Sequence, residues 1–443
     1  MRRVLLTSAA ASLMAVGALA PSASADTDAD GCHPTPENLP VCPADGAAET
    51  ATFLDPTARV VGGEHVTLGE SGYVGPFAEL VASADAPVSI GPESNVQDNV
   101  SVIGSRDLVG DPDEDPSVYG SSGTPAPGGP QASPGVEVAD RVIMAHGSSV
   151  IGPAQIGVQG GDIAVDPDDD QEVFLSFGAQ VDGAILEKNT GVSALGRVGP
   201  GVVLRSGTLV LPGKNITTQA EADDRSLGKV RDINEADVAF NEAVIEVNIA
   251  FAREYTELYR EDPSAVQGAN LDPAGVEANP VRDLPDFAGR DLAVPGHRNR
   301  IIGEVHLGDR FSRFDRVVGD DISLRADEGE NLTLGRIDEM DDDVIFHALE
   351  DTDLVVGNDV SYGEGVIAHG GGRVVVAGEP EEPTVINDGV TLEDEAVVFR
   401  STIGEGATIG ERSAVVGTDL PPNSVVPDRT IILNGEVFGA VEW

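Results

Sequence analysis

Chemistry in so acidic a chain has to be sought in its few imidazoles and thiols, and in whichever of its 76 Asp and Glu side chains are not simply solvated surface. The histidines are His33, His65, His146, His297, His306, His347 and His369, and the only cysteines are Cys32 and Cys42. Three neutral imidazoles around one metal leave its positive charge and an open position, which lowers the pKa of bound water to near neutrality and supplies hydroxide as a nucleophile. Two imidazoles and a carboxylate make a second recognised zinc set, and further carboxylates nearby can carry protons. The cysteines lie ten apart in a Pro-rich, loop-like stretch, so a disulfide is expected; as half of a metal site they would need a second pair, which the chain lacks. A histidine in a turn is usually hydrogen-bonded or solvent-facing, so no role follows for His33, His65, His297 or His306.

The elements that must position such residues show themselves as a six-residue period. Val138, Met144, Val150 and Ile156 recur at intervals of six, as do Val356, Tyr362, Ala368 and Val374, and again Val397, Ile403, Ile409 and Val415. This is the pattern of hexapeptide β-helix repeats, in which each short strand points one aliphatic side chain into a triangular coil of eighteen residues. Glycines fall in the turns, as in Ile403-Gly404-Glu405-Gly406, and a β-sandwich would instead show two-residue alternation. Between the two repeat regions, Val238, Phe240, Val244, Val247, Ile249, Phe251 and Tyr255 follow helical spacing, which predicts an amphipathic helix from Asp237 to about Glu261. The Pro, Gly, Asp and Asn-rich stretch after it reads as a linker, and the segment from Ser105 to Val136 as an excursion from the first coil stack. The expected division is a signal peptide (1–25), an N-terminal extension with the disulfide (26–56), a first β-helix with its C-terminal helix (57–261), the linker (262–298) and a second β-helix (299–443).

Composition excludes whole classes of function. With 27 basic residues the formal net charge is −49, which repels phosphate and anionic membrane surfaces, so no nucleic-acid partner is expected. Only Lys188, Lys214 and Lys229 are lysines; arginine carries the positive charge, a bias that reads as adaptation to high salt. A hydrophobic content of 40% argues against general disorder. Arg2 and Arg3, the apolar run from Val4 to Leu19 and Ala23-Ser24-Ala25 read as an export signal cleaved before Asp26, by the general or the twin-arginine route. A secreted or extracytoplasmic location follows, with no membrane insertion after cleavage.

The stretches Ser323-Leu-Arg-Ala-Asp-Glu-Gly, Val344-Ile-Phe-His-Ala-Leu-Glu350 and Asn95-Val-Gln-Asp-Asn-Val resemble signature segments of the γ-class carbonic anhydrases, and the resemblance spans most of both repeat regions. It implies a mainly β fold of two left-handed parallel β-helix domains, with the amphipathic α-helix after the first. That family is a homotrimer with zinc, or sometimes iron, at each subunit interface, held by two histidines of one subunit and one of its neighbour; cobalt is a further candidate metal. Each copy here is incomplete. His347 and His369 match the first and third ligands, with Glu364 at the second position; the first copy has Ile103, His146 and Ile151. Arg325, Asp327, Glu328 and Glu350 match in the second copy, where the first has Val81, Ser83 and Ala84 at the first three; Asn95, Gln97, Asp98 and the helical Asn248 match in the first, where the second has Glu339, Asp341 and Asp342 for the first three.

The complementary losses imply one metal set, His146, His347 and His369, with a self-contained His347, His369 and Glu364 set as the alternative. The resemblance gives Glu328 and Glu350 proton transfer, Gln97 and Asn248 the orientation of hydroxide and substrate, and Arg325 with Asp327 and Asp98 interface ion pairs that fix geometry. The expected function is an exported, salt-adapted, zinc-dependent carbonic anhydrase with carbon dioxide and bicarbonate as partners, acting as a trimer-like homo-oligomer. A non-catalytic β-helical scaffold or assembly protein is the second reading. A hexapeptide-repeat acyltransferase shares the fold, but the match around His347 and the acidity argue against it.

Overall fold

The computed structural model describes residues 31–109, 132–160, 172–271, 292–328, 330–349, 352–373 and 381–443. Within them the short strands are assigned to three sheets in turn, so that sequence neighbours lie in different sheets and each strand pairs with the one a full coil earlier. Two such stacks form, one of 9-, 6- and 7-stranded sheets and one of 10-, 6- and 5-stranded sheets. The two left-handed β-helices are parallel throughout except at their ends. There Val41–Cys42, Val230–Asp232, Leu292–Val294 and Glu436–Ala440 pair antiparallel and cover edges that would otherwise template other strands.

The repeat works through ladders of identical inward positions. Val88, Val136 and Ala154 are register partners on successive coils, as are Ile90, Val138 and Ile156, and all are buried. Each fully buried Val, Ile or Leu contributes roughly 1.5–3 kcal/mol, so Leu186→Ala in this ladder would cost about 2–5 kcal/mol. Gly406, at φ 67°, takes the left-handed turn position, and at Gly404 a Cβ would collide with the backbone at Pro422.

Several expectations need correction. The coil is eighteen residues at Val138 and Ile156 or Thr190 and Thr208, but Val398 pairs with Val415 only seventeen positions on. That shorter turn moves the period by one: Val398 points into the second core, while Val397 lies in a separate cluster between the two β-helices with Ile143, Ile345 and Ile367. Val374 lies outside the described residues. The first coil starts earlier than residue 57, since Thr52–Leu54 pairs with Tyr73–Val74. The stretch read as linker contains the strand Ala269–Leu271, parallel to Arg300–Gly303 and part of the second stack. The chain leaves the first stack after Ser101–Ile103 and rejoins it at Val136–Val138 against Val88–Ile90; most of the stretch read as an excursion lies outside the described residues.

Cys32 and Cys42 are joined in a disulfide. The long helix runs Glu235–Glu261, one residue pair earlier than its apolar pattern. Asn234 caps it, its side chain accepting from Ala236 N at 2.9 Å and Asp237 N at 3.2 Å while the Asp237 carboxylate accepts from Asn234 N. Its buried stripe is Asn241, Ile245, Asn248, Phe251, Ala252, Tyr255 and Thr256, whereas Val238 is exposed. The helix touches both stacks: Phe251 and Tyr255 cluster with Phe53 and Tyr73 of the first and Ile302 of the second. No helix among the described residues is long and apolar enough to cross a membrane.

Candidate metal centre

His347 and His369 end two neighbouring parallel strands, Ile345–His347 and Ile367–His369, in direct register. Phe346 and Ala368, one position earlier, face the second core; alternation therefore turns both imidazoles outward on the same side. In the first β-helix the register partners Ile103 and Ile151 offer no ligand atom. His146 comes from that first β-helix, two residues beyond the strand Val142–Met144.

The three imidazoles meet between the stacks. Their ring centroids are 5.1–5.4 Å apart, and one ligand nitrogen from each lies within 4.8 Å of the others. They are 1, 5 and 8% exposed for His146, His347 and His369. Both nitrogens of His146 and both of His347 are buried without a hydrogen bond. His146 Nε2 and His347 Nδ1 also have no ion-pair partner; burying nitrogens unsatisfied is costly, and a cation at the focus of the triad would satisfy one nitrogen of each ring. Three imidazoles are also the donor set of a metal that keeps a position open, so the residues fit a metal. Burial holds His369 well below the ordinary imidazole pKa and lowers that of His146 despite Asp98 beside it, which favours the neutral, ligating form. At His347 burial and Arg325 also push down, but Asp327 and Glu328 outweigh them and the pKa is raised.

Around the triad, Arg325 spans the two β-helices. Its Nε donates to Asp327 Oδ2 at 3.0 Å and its terminal nitrogen to Asp98 Oδ1 at 2.8 Å, with Phe251 4.6 Å and Tyr73 5.5 Å from the guanidinium. Ser323 donates to the other Asp98 oxygen and the Tyr255 hydroxyl to Asp327. Burial would raise both carboxyl pKa values, but Arg325 and the histidines hold them well below the carboxylate range. Asp98 Oδ1 is 3.5 Å from His146 Nδ1, and Asp327 Oδ1 is 3.3 Å from His347 Nε2, so the same two anions face the imidazoles.

A cavity of about 160 Å³ opens onto the triad and is lined by Gln97, Asn248, Glu328, His347, His369 and Arg400. Glu328 Oε1 stands 3.2 Å from His347 Nε2. Asn248 donates to Val244 O at 2.8 Å, which leaves its Oδ1 unpartnered. Glu364 is not brought to the triad; it lines a different groove with Asp321 and Asp343, because it follows Val360–Tyr362, a strand of a different sheet from the one that carries His347 and His369. Glu350 lies outside the described residues. Of the histidines given no role, His33 bonds Val66 O at 2.6 Å and His297 bonds Asp315 at 2.9 Å. Sequence reasoning missed Arg400 and the part played by Tyr255. The signal for Arg400 is positional, since it follows Phe399, the register partner of His369.

No family model matches the chain. It is 30% identical over 227 residues to a carbonic anhydrase of Methanosarcina thermophila, covering 48% of this chain and 76% of that protein. It is 25% identical over 163 residues to the carboxysome assembly protein CcmM of a Nostoc species, covering 34% of this chain but only 26% of that one. Among solved structures, a hexapeptide transferase family protein from Anaplasma phagocytophilum is similar at 15% identity and a TM-score of 0.21, over 46% of this chain and 93% of that one. The match to three quarters of a carbonic anhydrase, with the hexapeptide fold and the signature segments, means that the chain belongs to the γ-class carbonic anhydrase family.

Proposed function

We propose that the protein is an exported, salt-adapted carbonic anhydrase that interconverts carbon dioxide and bicarbonate at one site between its two β-helices, with a metal, zinc in the first instance, held by His146, His347 and His369. The observation that carries this reading is the buried triad itself, with one ligand nitrogen of each ring within 4.8 Å of the others, and with His146 Nε2 and His347 Nδ1 buried with neither a hydrogen bond nor an ion-pair partner. When bound, the cation supplies Lewis acidity that makes water a nucleophile at neutral pH. The chain's own residues do the rest. Glu328, 3.2 Å from His347, takes the proton released on the cavity side, and Glu350 passes it outward. Gln97 donates to a substrate oxygen, and Asn248, whose amide nitrogen is engaged, offers its Oδ1 as an acceptor. Arg325 holds Asp98 and Asp327 against His146 and His347, so both halves of the ligand set keep one geometry. Phe177 and Phe399 beside His369 give an uncharged substrate an apolar wall.

Export rests on the leader-like residues 1–25, and salt adaptation on the net charge of −49. A trimer-like homo-oligomer is proposed from the resemblance and is tested by light scattering. The deciding experiment is carbon dioxide hydration by the metal-loaded protein in concentrated salt beside His146→Ala. We expect the substitution to remove metal stoichiometrically and to lower kcat/KM by at least about a hundredfold, the order of a lost catalytic ligand. The match to a carboxysome assembly protein favours one second reading, a non-catalytic β-helical assembly protein. That reading takes over if the folded, metal-loaded parent shows no hydration.

A further inference from the structure

The cavity over the triad contains a cation that the family resemblance did not call for. Arg400 lines it together with His347, His369 and Glu328. Arg400 is half-buried, whereas fully buried guanidiniums here are held by carboxylates: Arg300 by Asp55 at 2.9 Å, Arg325 by Asp98 and Asp327, Arg412 by Glu395. Arg400 makes no hydrogen bond or ion pair with a described residue, and its Nε is buried without a partner. Arg400 differs from the exposed arginines in lining a cavity wall, with its Nε shut off from solvent.

Its placement is built. The guanidinium lies 4.8 Å from the Phe399 ring and 5.8 Å from the Phe240 ring of the long helix, so aromatic faces rather than anions hold it. The backbone at Arg400 is left-handed, φ 49°, a conformation that costs a non-glycine residue on the order of 1 kcal/mol. Gly371 makes the space: a Cβ there would stand 3.0 Å from Arg400 Nε.

We propose that Arg400 is the anion-holding residue of this cavity and binds a planar monoanionic oxyanion, bicarbonate, through its free guanidinium edge. The proposal rests on the carbonic anhydrase reading for the identity of that anion. Carbon dioxide is uncharged and gains little from a cation, whereas the product carries a charge and an O–C–O edge that matches the guanidinium fork. Arg325 cannot serve equally, because its charge is already balanced by Asp98 and Asp327.

Isothermal titration of the metal-loaded full chain with sodium bicarbonate, without chloride and at fixed ionic strength, tests this on the parent, Arg400→Gln and Arg400→Lys. Affinity should fall about ten- to a hundredfold in Arg400→Gln, the range for a lost charged hydrogen bond. Arg400→Lys, which keeps the charge but not the fork, should recover part of it. Removing the guanidinium orphans no acceptor among the described residues and loses only its contacts with Phe240 and Phe399, so both variants should stay folded, unfolding within a few degrees of the parent, and keep its metal content. If Arg400→Gln fails that check, Arg400→Lys alone should still show a loss of about three- to tenfold. Unchanged bicarbonate affinity in a folded variant overturns the proposal. Stopped-flow hydration run in parallel separates the two ideas. An active parent with Arg400-independent affinity sinks only this inference, whereas an inactive parent with Arg400-dependent affinity sinks only the enzyme reading and supports the anion site. A parent that neither turns over nor binds bicarbonate sinks both.

Discussion

Two regions of the seam between the β-helices handle buried charge in opposite ways. Beside the histidines, Arg325 lies between Asp98 of the first stack and Asp327 of the second, all three with side chains 2% exposed or less, and both carboxyl pKa values are pressed down. In a larger groove of about 640 Å³, Asp321, Asp343, Glu364 and Asp394 gather, and the partner that reaches Asp343 across the seam is an amide, Asn99, donating to it at 2.7 Å. There burial first, then Asp321 and Glu364, push the Asp343 pKa up to about 6. Where a cation is supplied the seam keeps its anions ionised; where it is not, the anion recruits a proton instead.

The largest effect should come from breaking the first region. Arg325→Met leaves two buried carboxylates without their cation and should cost about 3–5 kcal/mol in urea unfolding; a cost below about 1 kcal/mol would mean that the ion cluster does not join the halves. Adding Asp98→Asn and Asp327→Asn should return much of the loss, because no uncompensated charge then remains.

The second region should respond in the opposite sense. A carboxyl whose folded pKa is raised binds its proton more readily folded than unfolded, so its contribution declines as pH rises from about 4 to about 6. Asp343→Asn should therefore stabilise the protein by on the order of 1–2 kcal/mol above pH 6, with the gain vanishing below the ordinary carboxylate value. Asp98 and Asp327 have the reverse sign: their stabilisation is complete above the ordinary carboxylate pKa and is lost as pH falls below it. Urea midpoints across pH 3–8 should thus lose their acid-side decline in Arg325→Met and their neutral-side decline in Asp343→Asn. If both variants shift the profile alike, the two regions are not electrostatically distinct. The smallest effect is salt. Raising sodium chloride from 0.1 to 1 M shortens screening from about 10 to about 3 Å, so the Asp343→Asn gain should lose only the lesser part that Asp321 and Glu364 contribute, while the part set by burial and the Arg325→Met cost stay put.

Much of this architecture was legible because its signal is local. A six-residue period marks inward positions whatever the surroundings, and the apolar spacing from Val238 to Tyr255 marks a helix within a few turns of chain. The slip at Val397 was not legible, since one residue fewer in a turn leaves composition unchanged yet exchanges the inward and outward side chains. The strand Ala269–Leu271 was hidden in Gly- and Asn-rich sequence because its partner strand, Arg300–Gly303, supplies the hydrogen bonds that its own propensities do not favour. The three histidines were named from resemblance to known segments; Arg400 sits in no such segment and shows its place only through the ladder to His369.

By itself the sequence determined the repeat, its division into two stacks, the amphipathic helix between them and a strongly acidic composition. Only the tertiary structure decided that His146 meets His347 and His369, that Arg325 is neutralised while Arg400 is not, and that Glu364 faces a different groove. The physical reason is that inward positions are set by the pleat of one strand, whereas outward side chains acquire neighbours only when two separately formed stacks pack against each other and against the helix.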